Sequence, residues 1–462
     1  MVKSRLALLI QSFTAAEKRD ARKFLESPYF NARADVVLLF DWFCHQDRQE
    51  LIKKSAKRHL FGDELPTDQE LRLRMAYLSR LLERYMAQKE FDADASGRDI
   101  LLAASLRRRG LAKPFTQHIT WLEKTLDEQP LRDVRFYELK SRLLWEWHEY
   151  ESTENAASSQ YLLAASRSAD VAFLAQKLRL ICLVAAHKSV WSADFQLIGE
   201  QEVVQFSEKY FAASEPVIAI YLHCLRTLRY PEDESNFQNF KKMLLESSAI
   251  FQAEETRSLF LWAFNFCVRR LNAGERRYFQ EILDLYKVGL STGVLLENGV
   301  LTAYTFSNAV VAGLQTGDHE WVNYFIENYK NKLEKQHRES ATSFNLARLE
   351  FARQRFHEVL ELLQKTNYRD PLLNLAAKTL LLKTWFELKE TDILHSHLDA
   401  MRNFIHRKRV LGYHRTNYLN IVKFAEKLLT INFLDTQEVE KLRTAITKEE
   451  TLTEREWLLS KV

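Results

Sequence analysis

Several side chains near the C-terminal end could do metal chemistry. Asp392, His395, His397 and Asp399 fall within one short stretch, and imidazole with carboxylate is a zinc ligand set. On a helix, residues four apart share a face, while residues two apart point about 200° from each other. His395 and Asp399 then align and His397 turns away, so no metal site is expected. His357-Glu358 opens like the HExxH of metalloproteases, but Glu361 stands where the second histidine is needed. His223-Cys224 lies inside IAIYLHCLRTL, where a buried structural pair accounts for it better than a thiol–imidazole dyad. There is no GxxxxGK[ST], no GxGxxG and no GxSxG. No catalytic residue, metal or cofactor is expected, and the chain does not read as an enzyme.

Two basic clusters remain. Arg107, Arg108 and Arg109 end a helix, where they complement its dipole and need no ligand. The denser cluster comprises Arg402, His406, Arg407, Lys408, Arg409 and Arg415. Arg402, His406 and Arg409 recur at i, i+4 and i+7, with Met401, Phe404 and Ile405 on the opposite side. Such a stripe could hold phosphates or an acidic partner; a solvated helix end is the simpler account.

The elements that position these residues are helices. The chain has 462 residues but only 11 glycines and 7 prolines, where average usage puts the two together near ~12%. No glycine occurs between Gly317 and Gly412 and no proline between Pro231 and Pro371, whereas sheet folds need such residues at their turns. Hydrophobic residues at 46% and charged residues at 28% make a folded composition, and the net charge of +4 is too even for a dedicated nucleic-acid or membrane binder. Cys44, Cys182, Cys224 and Cys267 lie far apart among apolar neighbours, which fits free thiols in a reducing cytoplasm. The run Leu6 to Ile10 is too short for a signal-peptide core, and no apolar run approaches the ~18 residues of a membrane span.

Thr14 with Glu17, and Thr67 with Glu70, predict capping boxes; Gly62 and Pro66 punctuate before the second. Between the first two long helices, Ser27-Pro28-Tyr29-Phe30-Asn31 reads as a corner. Asn31 is expected to cap the next helix, and Tyr29 and Phe30 to plug the gap. The polar stretch 89–99 marks a first boundary, giving an N-terminal helical domain over 1–95. Breaks every 15 to 25 residues then fit degenerate helical hairpins over 96–299.

Residues 300–462 carry the clearest repeats. SFNLARLEFARQRFHEVLELLQKTNYRDP (343–371) resembles a tetratricopeptide repeat: Leu346-Ala347 matches its Leu-small pair, Phe351 an aromatic, Gln354-Arg355-Phe356 the turn and Pro371 the closing proline. Ser343 at the tryptophan position and Val359 at a small-residue position depart from it. A shift of 34 residues sets Leu380, Trp385, Ile393 and Leu394 under Leu346, Phe351, Val359 and Leu360, and Gly317-Asp318 supplies the preceding turn. The start KFLESPYFN with LRLRMAYLSRLLERYM also resembles a group of uncharacterised helical proteins of Bacteroidota bacteria, which implies an origin and a fold but no activity.

The expectation is an all-α chain: an α-solenoid of stacked, TPR-like hairpins behind an N-terminal helical domain, closed by a capping helix from Tyr413 to Leu429. The resemblance implies a concave groove for a protein or peptide partner, so a cytoplasmic, non-enzymatic interaction scaffold is the leading reading. In that groove Asn308 and Asn345 share one position, with Arg348 a turn beyond and Lys378 a further candidate. Leu382 stands where a polar residue is needed. Nucleic-acid binding through 402–415, as a regulatory or defence component, is the alternative. A hydrolase or transferase has no motif behind it.

Overall fold

Helix starts follow the capping chemistry on offer. The computed structural model describes residues 4–45, 67–154, 160–188, 197–364, 366, 368–407 and 414–462. Ser4 caps α1 (Arg5–Ser12), Thr14 caps α2 (Ala15–Glu26), α3 spans Ala34–His45, and Thr67 caps α4 (Asp68–Ala93). At α2 and α4 the threonine Oγ1 accepts the N–H of the glutamate three residues on, at 3.2 Å. The glutamate returns the bond by accepting the threonine N–H at 2.8 Å. Gly62 and Pro66 lie outside the described residues.

Two expectations at the 27–31 corner are corrected. Asn31 is buried, but α3 begins only at Ala34, so it is not that helix's cap. Its Nδ2 donates to Leu25 O (2.8 Å) and Arg33 O (3.0 Å), and its Oδ1 accepts Arg33 N–H, which ties the end of α2 to the start of α3. Phe30 alone plugs the corner, stacked on Phe24 at 4.1 Å; Tyr29 is 82% exposed, because one ring fills the gap between the diverging helices.

The chain divides into two compact units, residues 1–176 and 177–462. In the first, α1 to α4 close over Ile10, Leu25, Phe40 and Leu82. Then α5 (Ala95–Arg108), α6 (Ala112–Glu128) and α7 (Val134–Glu154) enclose Phe115, Ile119 and Leu143, joined by Ala165 of α8 (Gln160–Lys188). The division falls inside α8. Asp94 and Gly299, beside the boundaries expected at 95 and 299, sit at a helix–helix junction and in a turn.

The second unit continues through α9 (Glu200–Tyr210), α10 (Pro216–Arg229), α11 (Glu234–Ser247) and α12 (Ala253–Asn272). Next come α13 (Tyr278–Ser291), α14 (Ala303–Gln315), α15 (His319–Tyr329), α16 (Lys335–Ala352) and α17 (Phe356–Gln364). It ends with α18 (Pro371–Glu387), α19 (Thr391–Arg407), α20 (His414–Thr430), α21 (Thr436–Lys448) and α22 (Arg455–Leu459). From α9 to α20 each helix packs on the next, and α10 also meets α12, α14 meets α16, and α16 meets α18. Among the described residues there is no β-strand, only two isolated bridges. None of their helices is long and apolar enough to cross a membrane.

Candidate functional site

Four helices of the second unit end in the same way. After α12, α14, α16 and α18 the chain passes through a left-handed residue, respectively Gly274, Gly317, Gln354 and Lys389, with φ of 93°, 76°, 62° and 60°. The following N–H reaches back to a carbonyl five residues earlier: Glu275 to Arg270 (3.1 Å), Asp318 to Gly313 (2.9 Å), Arg355 to Glu350 (2.9 Å) and Glu390 to Trp385 (3.1 Å). These turns lie 43, 37 and 35 residues apart, so they form a common anchor without a fixed period.

Counting back from that anchor lines up the helices. Six residues before it stand Val268, Val311, Arg348 and Lys383; nine before it stand Asn265, Asn308, Asn345 and Leu380. Residues three apart on a helix share a face, and most of these open onto two adjoining cavities that share Val311. The first, of about 370 Å³, is apolar and aromatic, lined by Phe264, Tyr286 and Tyr304 together with Asn265, Asn308 and Val268. The second, of about 520 Å³, contains Phe344, Arg348, Phe351, Lys383 and Glu454. The pair, adjoining at Val311, is termed the trough below: its first cavity is apolar and its second is charged.

The charged end has two cations in different states. Lys383 Nζ pairs with Glu454 Oε2 at 2.8 Å, its side chain only 13% exposed, and sits 4.7 Å from the Phe351 ring centroid. Arg348 is half-buried over Phe344, with its guanidinium carbon 5.6 Å from the ring centroid. Among the described residues no carboxylate pairs with it. Burial lowers its pKa and the more distant Glu454 opposes that shift.

Glu454 reaches the trough because the C-terminal segment is pinned beside it. Trp457 and Leu458 are buried in a cluster with Leu382, Phe424 and Ile446. Trp457 Nε1 donates to Glu387 at 3.0 Å, Lys461 pairs with Glu387 at 2.6 Å, and Asn420 Nδ2 donates to Thr451 O at 2.8 Å. Glu456 pairs with Arg276. Glu454 itself is left-handed, at φ 56°.

The expected groove residues divide. Asn308 lines the trough and hydrogen-bonds the Tyr286 phenol, and Arg348 lines its charged end. Asn345 shares its anchor-relative position with Asn308, yet it is fully buried between α14 and α16. Its Nδ2 donates to Ala341 O (2.8 Å) and Ser307 Oγ (3.1 Å), so its amide does not face a groove. Lys378 packs toward α19, with Nζ 5.8 Å from the Phe404 ring centroid, while its carbonyl accepts a hydrogen bond from His397 Nε2–H at 2.7 Å. Lys383, one residue beyond Leu382, holds the position where a polar residue is needed. Counted from their turns, α16 and α18 align at 35 rather than 34, which pairs Val359 with Leu394, both buried, and leaves Ile393 44% exposed.

The basic stripe is partly neutralised. Arg402 pairs with Asp399 (2.9 Å) and with Glu426, and Arg415 Nη2 lies 3.0 Å from His406 Nδ1. Arg407 is exposed, while Lys408, Arg409 and Tyr413 lie outside the described residues. No group of three metal-ligating side chains forms among the described residues. Burial lowers the pKa of His223, and Cys224 is fully buried with its thiol hydrogen-bonded to Cys182. No protein family, curated protein or solved structure compared with the chain matches it.

Proposed function

We propose that the second unit is a non-enzymatic interaction scaffold whose hairpins stack as a tetratricopeptide-like α-solenoid, and that its trough receives an extended segment of a partner protein. One observation carries this reading: α12, α14, α16 and α18, each ended by the same turn, place Val268, Val311, Arg348 and Lys383 on the walls of two adjoining cavities. An extended chain repeats its side chains at short regular intervals, so a surface built from repeated helices can read it position by position. The aromatic end would take apolar side chains, with Asn265 and Asn308 near enough to its wall to bond a peptide backbone. The alternative of nucleic-acid binding through 402–415 is weakened by the acidic partners of Arg402.

The test places a photo-crosslinking amino acid at Val268 or Tyr304 in the trough, and at Tyr324 on α15 outside it. One defined polypeptide trapped from the trough positions and not from position 324 supports the scaffold. Equal labelling from both faces, or none from the trough, removes it.

A further inference from the structure

We infer that Glu454 is an internal stand-in for an acidic residue of the partner: the chain's own C-terminal segment occupies the cationic end of the trough, and an acidic partner segment displaces it. The inference rests on the trough reading and specifies the partner's chemistry.

The charge arrangement points this way. Arg348 and Lys383 occupy equivalent positions on neighbouring helices, so a single extended segment passing along the trough meets both. Among the described residues, only Lys383 of the two is in an ion pair. A half-buried guanidinium that feels a carboxylate only from beyond ion-pair distance is an unmet demand, and its planar fork suits a carboxylate better than any neutral acceptor. Glu454 supplies one carboxylate where two cations wait.

The segment is also built to let go locally. Trp457 and Leu458 root it in the core, whereas Glu454 is 37% exposed at its side chain and held in a left-handed conformation that non-glycine residues seldom adopt. Breaking the Lys383 contact frees the turn around Thr453 and Glu454 while the Trp457 anchor stays. A partner carboxylate that takes Lys383 therefore competes with one side chain and leaves the domain's packing alone.

The test uses the full chain, a fluorescein-labelled hexaglutamate peptide and fluorescence anisotropy at low salt. Glu454→Gln removes the internal competitor, and binding should tighten about threefold to tenfold, the factor by which a self-occupied site lowers apparent affinity. Adding Arg348→Gln or Lys383→Gln to that variant should abolish the gain, with circular dichroism checking that each variant is folded. In the unaltered chain the peptide should speed amide exchange at residues 452–455 and leave Leu458 protected. Hexaglutamate binding that ignores Glu454→Gln, or a gain that survives Arg348→Gln, overturns the inference. So does an equal gain for hexathymidylate, which would make the site a general polyanion binder. Crosslinking from Tyr304 with no hexaglutamate effect would sink this inference and leave the trough reading standing; loss of both would sink both.

Discussion

If the four helix-ending turns are equivalent, glycine should be interchangeable among them with a fixed sign. Gln354 and Lys389 hold φ of 62° and 60° where Gly274 and Gly317 do the same task without a Cβ. Both side chains are exposed, so removing them sacrifices little packing. A left-handed non-glycine residue costs about 1–2 kcal/mol, of which glycine's extra freedom in the unfolded chain returns about 0.5–1 kcal/mol. Gln354→Gly and Lys389→Gly should each stabilise the second unit by about 0.5–1 kcal/mol, and the pair by about 1–2 kcal/mol, since they share no partner. At an m-value near 3 kcal/mol/M, the double variant should raise the urea midpoint, followed by far-UV circular dichroism, by roughly 0.3–0.7 M. The reverse experiment uses Gly274→Ala and Gly317→Ala. A Cβ at either site meets nothing within 4 Å, so the loss of about 1 kcal/mol each is conformational only. A midpoint that falls in Gln354→Gly/Lys389→Gly, or stands still in Gly274→Ala/Gly317→Ala, would refute the equivalence and with it the alignment that assembles the trough.

Three further outcomes follow from particular contacts. Gly313→Val should lower stability by about 2 kcal/mol or more in the same urea assay, because even its Cβ would lie 2.4 Å from Val322 Cγ2 and 3.1 Å from the Trp321 ring. Glu17, held by Lys89 and Thr14, has its pKa lowered from 4.5 to about 2. A carboxylate with a depressed folded-state pKa stabilises fully above its free value and loses that contribution as pH falls through the folded one. The stability difference between the unaltered chain and Glu17→Gln should therefore shrink between about pH 5 and pH 2, read by acid titration of the circular dichroism signal. Burial raises the Cys44 pKa to about 11 from 9.0 and pushes Cys224 and Cys267 up as well. At pH 8 a Cys44 shift of that size leaves about 100-fold less thiolate, so Ellman's reagent should label the folded chain slowly and the unfolded chain fast.

Helical content and helix starts were legible in the sequence because they depend on neighbours along the chain. Scarce glycine and proline fix the class, and Thr14–Glu17 and Thr67–Glu70 close the capping boxes their spacing predicts. The 27–31 corner was harder, because the same residues serve several geometries. Asn31 has a side chain suited to capping a helix and instead spans two helix ends. Nor does sequence distinguish Tyr29 from Phe30, although only one ring fits the gap. Asn345 shows the same limit within a shared register: its position matches Asn308, but α14 and α16 approach closely enough there to enclose it. The acidic neighbours of Arg402 include Glu426, on another helix and 24 residues away, which a one-helix reading does not see.

The charged end of the trough was concealed by a single residue of register. Read at a constant 34, Arg348 falls on Leu382, an apolar residue buried in the C-terminal cluster, and the polar position looks vacant. Read from the left-handed turn, it falls on Lys383, which lines the cavity. The difference is physical. Segments that return the chain from one hairpin to the next vary in length, from the stretch between Ser291 and Ala303 to the one between Tyr329 and Lys335, without disturbing the helices they join. The turn cannot vary in that way, because one left-handed residue and a carbonyl five positions back from the following N–H fix the phase of the helix that precedes it. Side-chain phase therefore holds relative to the turn while the spacing between turns runs through 43, 37 and 35. For α12, α14, α16 and α18 the cavity-facing residues are found by counting back from each turn, and a fixed period misplaces them wherever a connection gains or loses a residue.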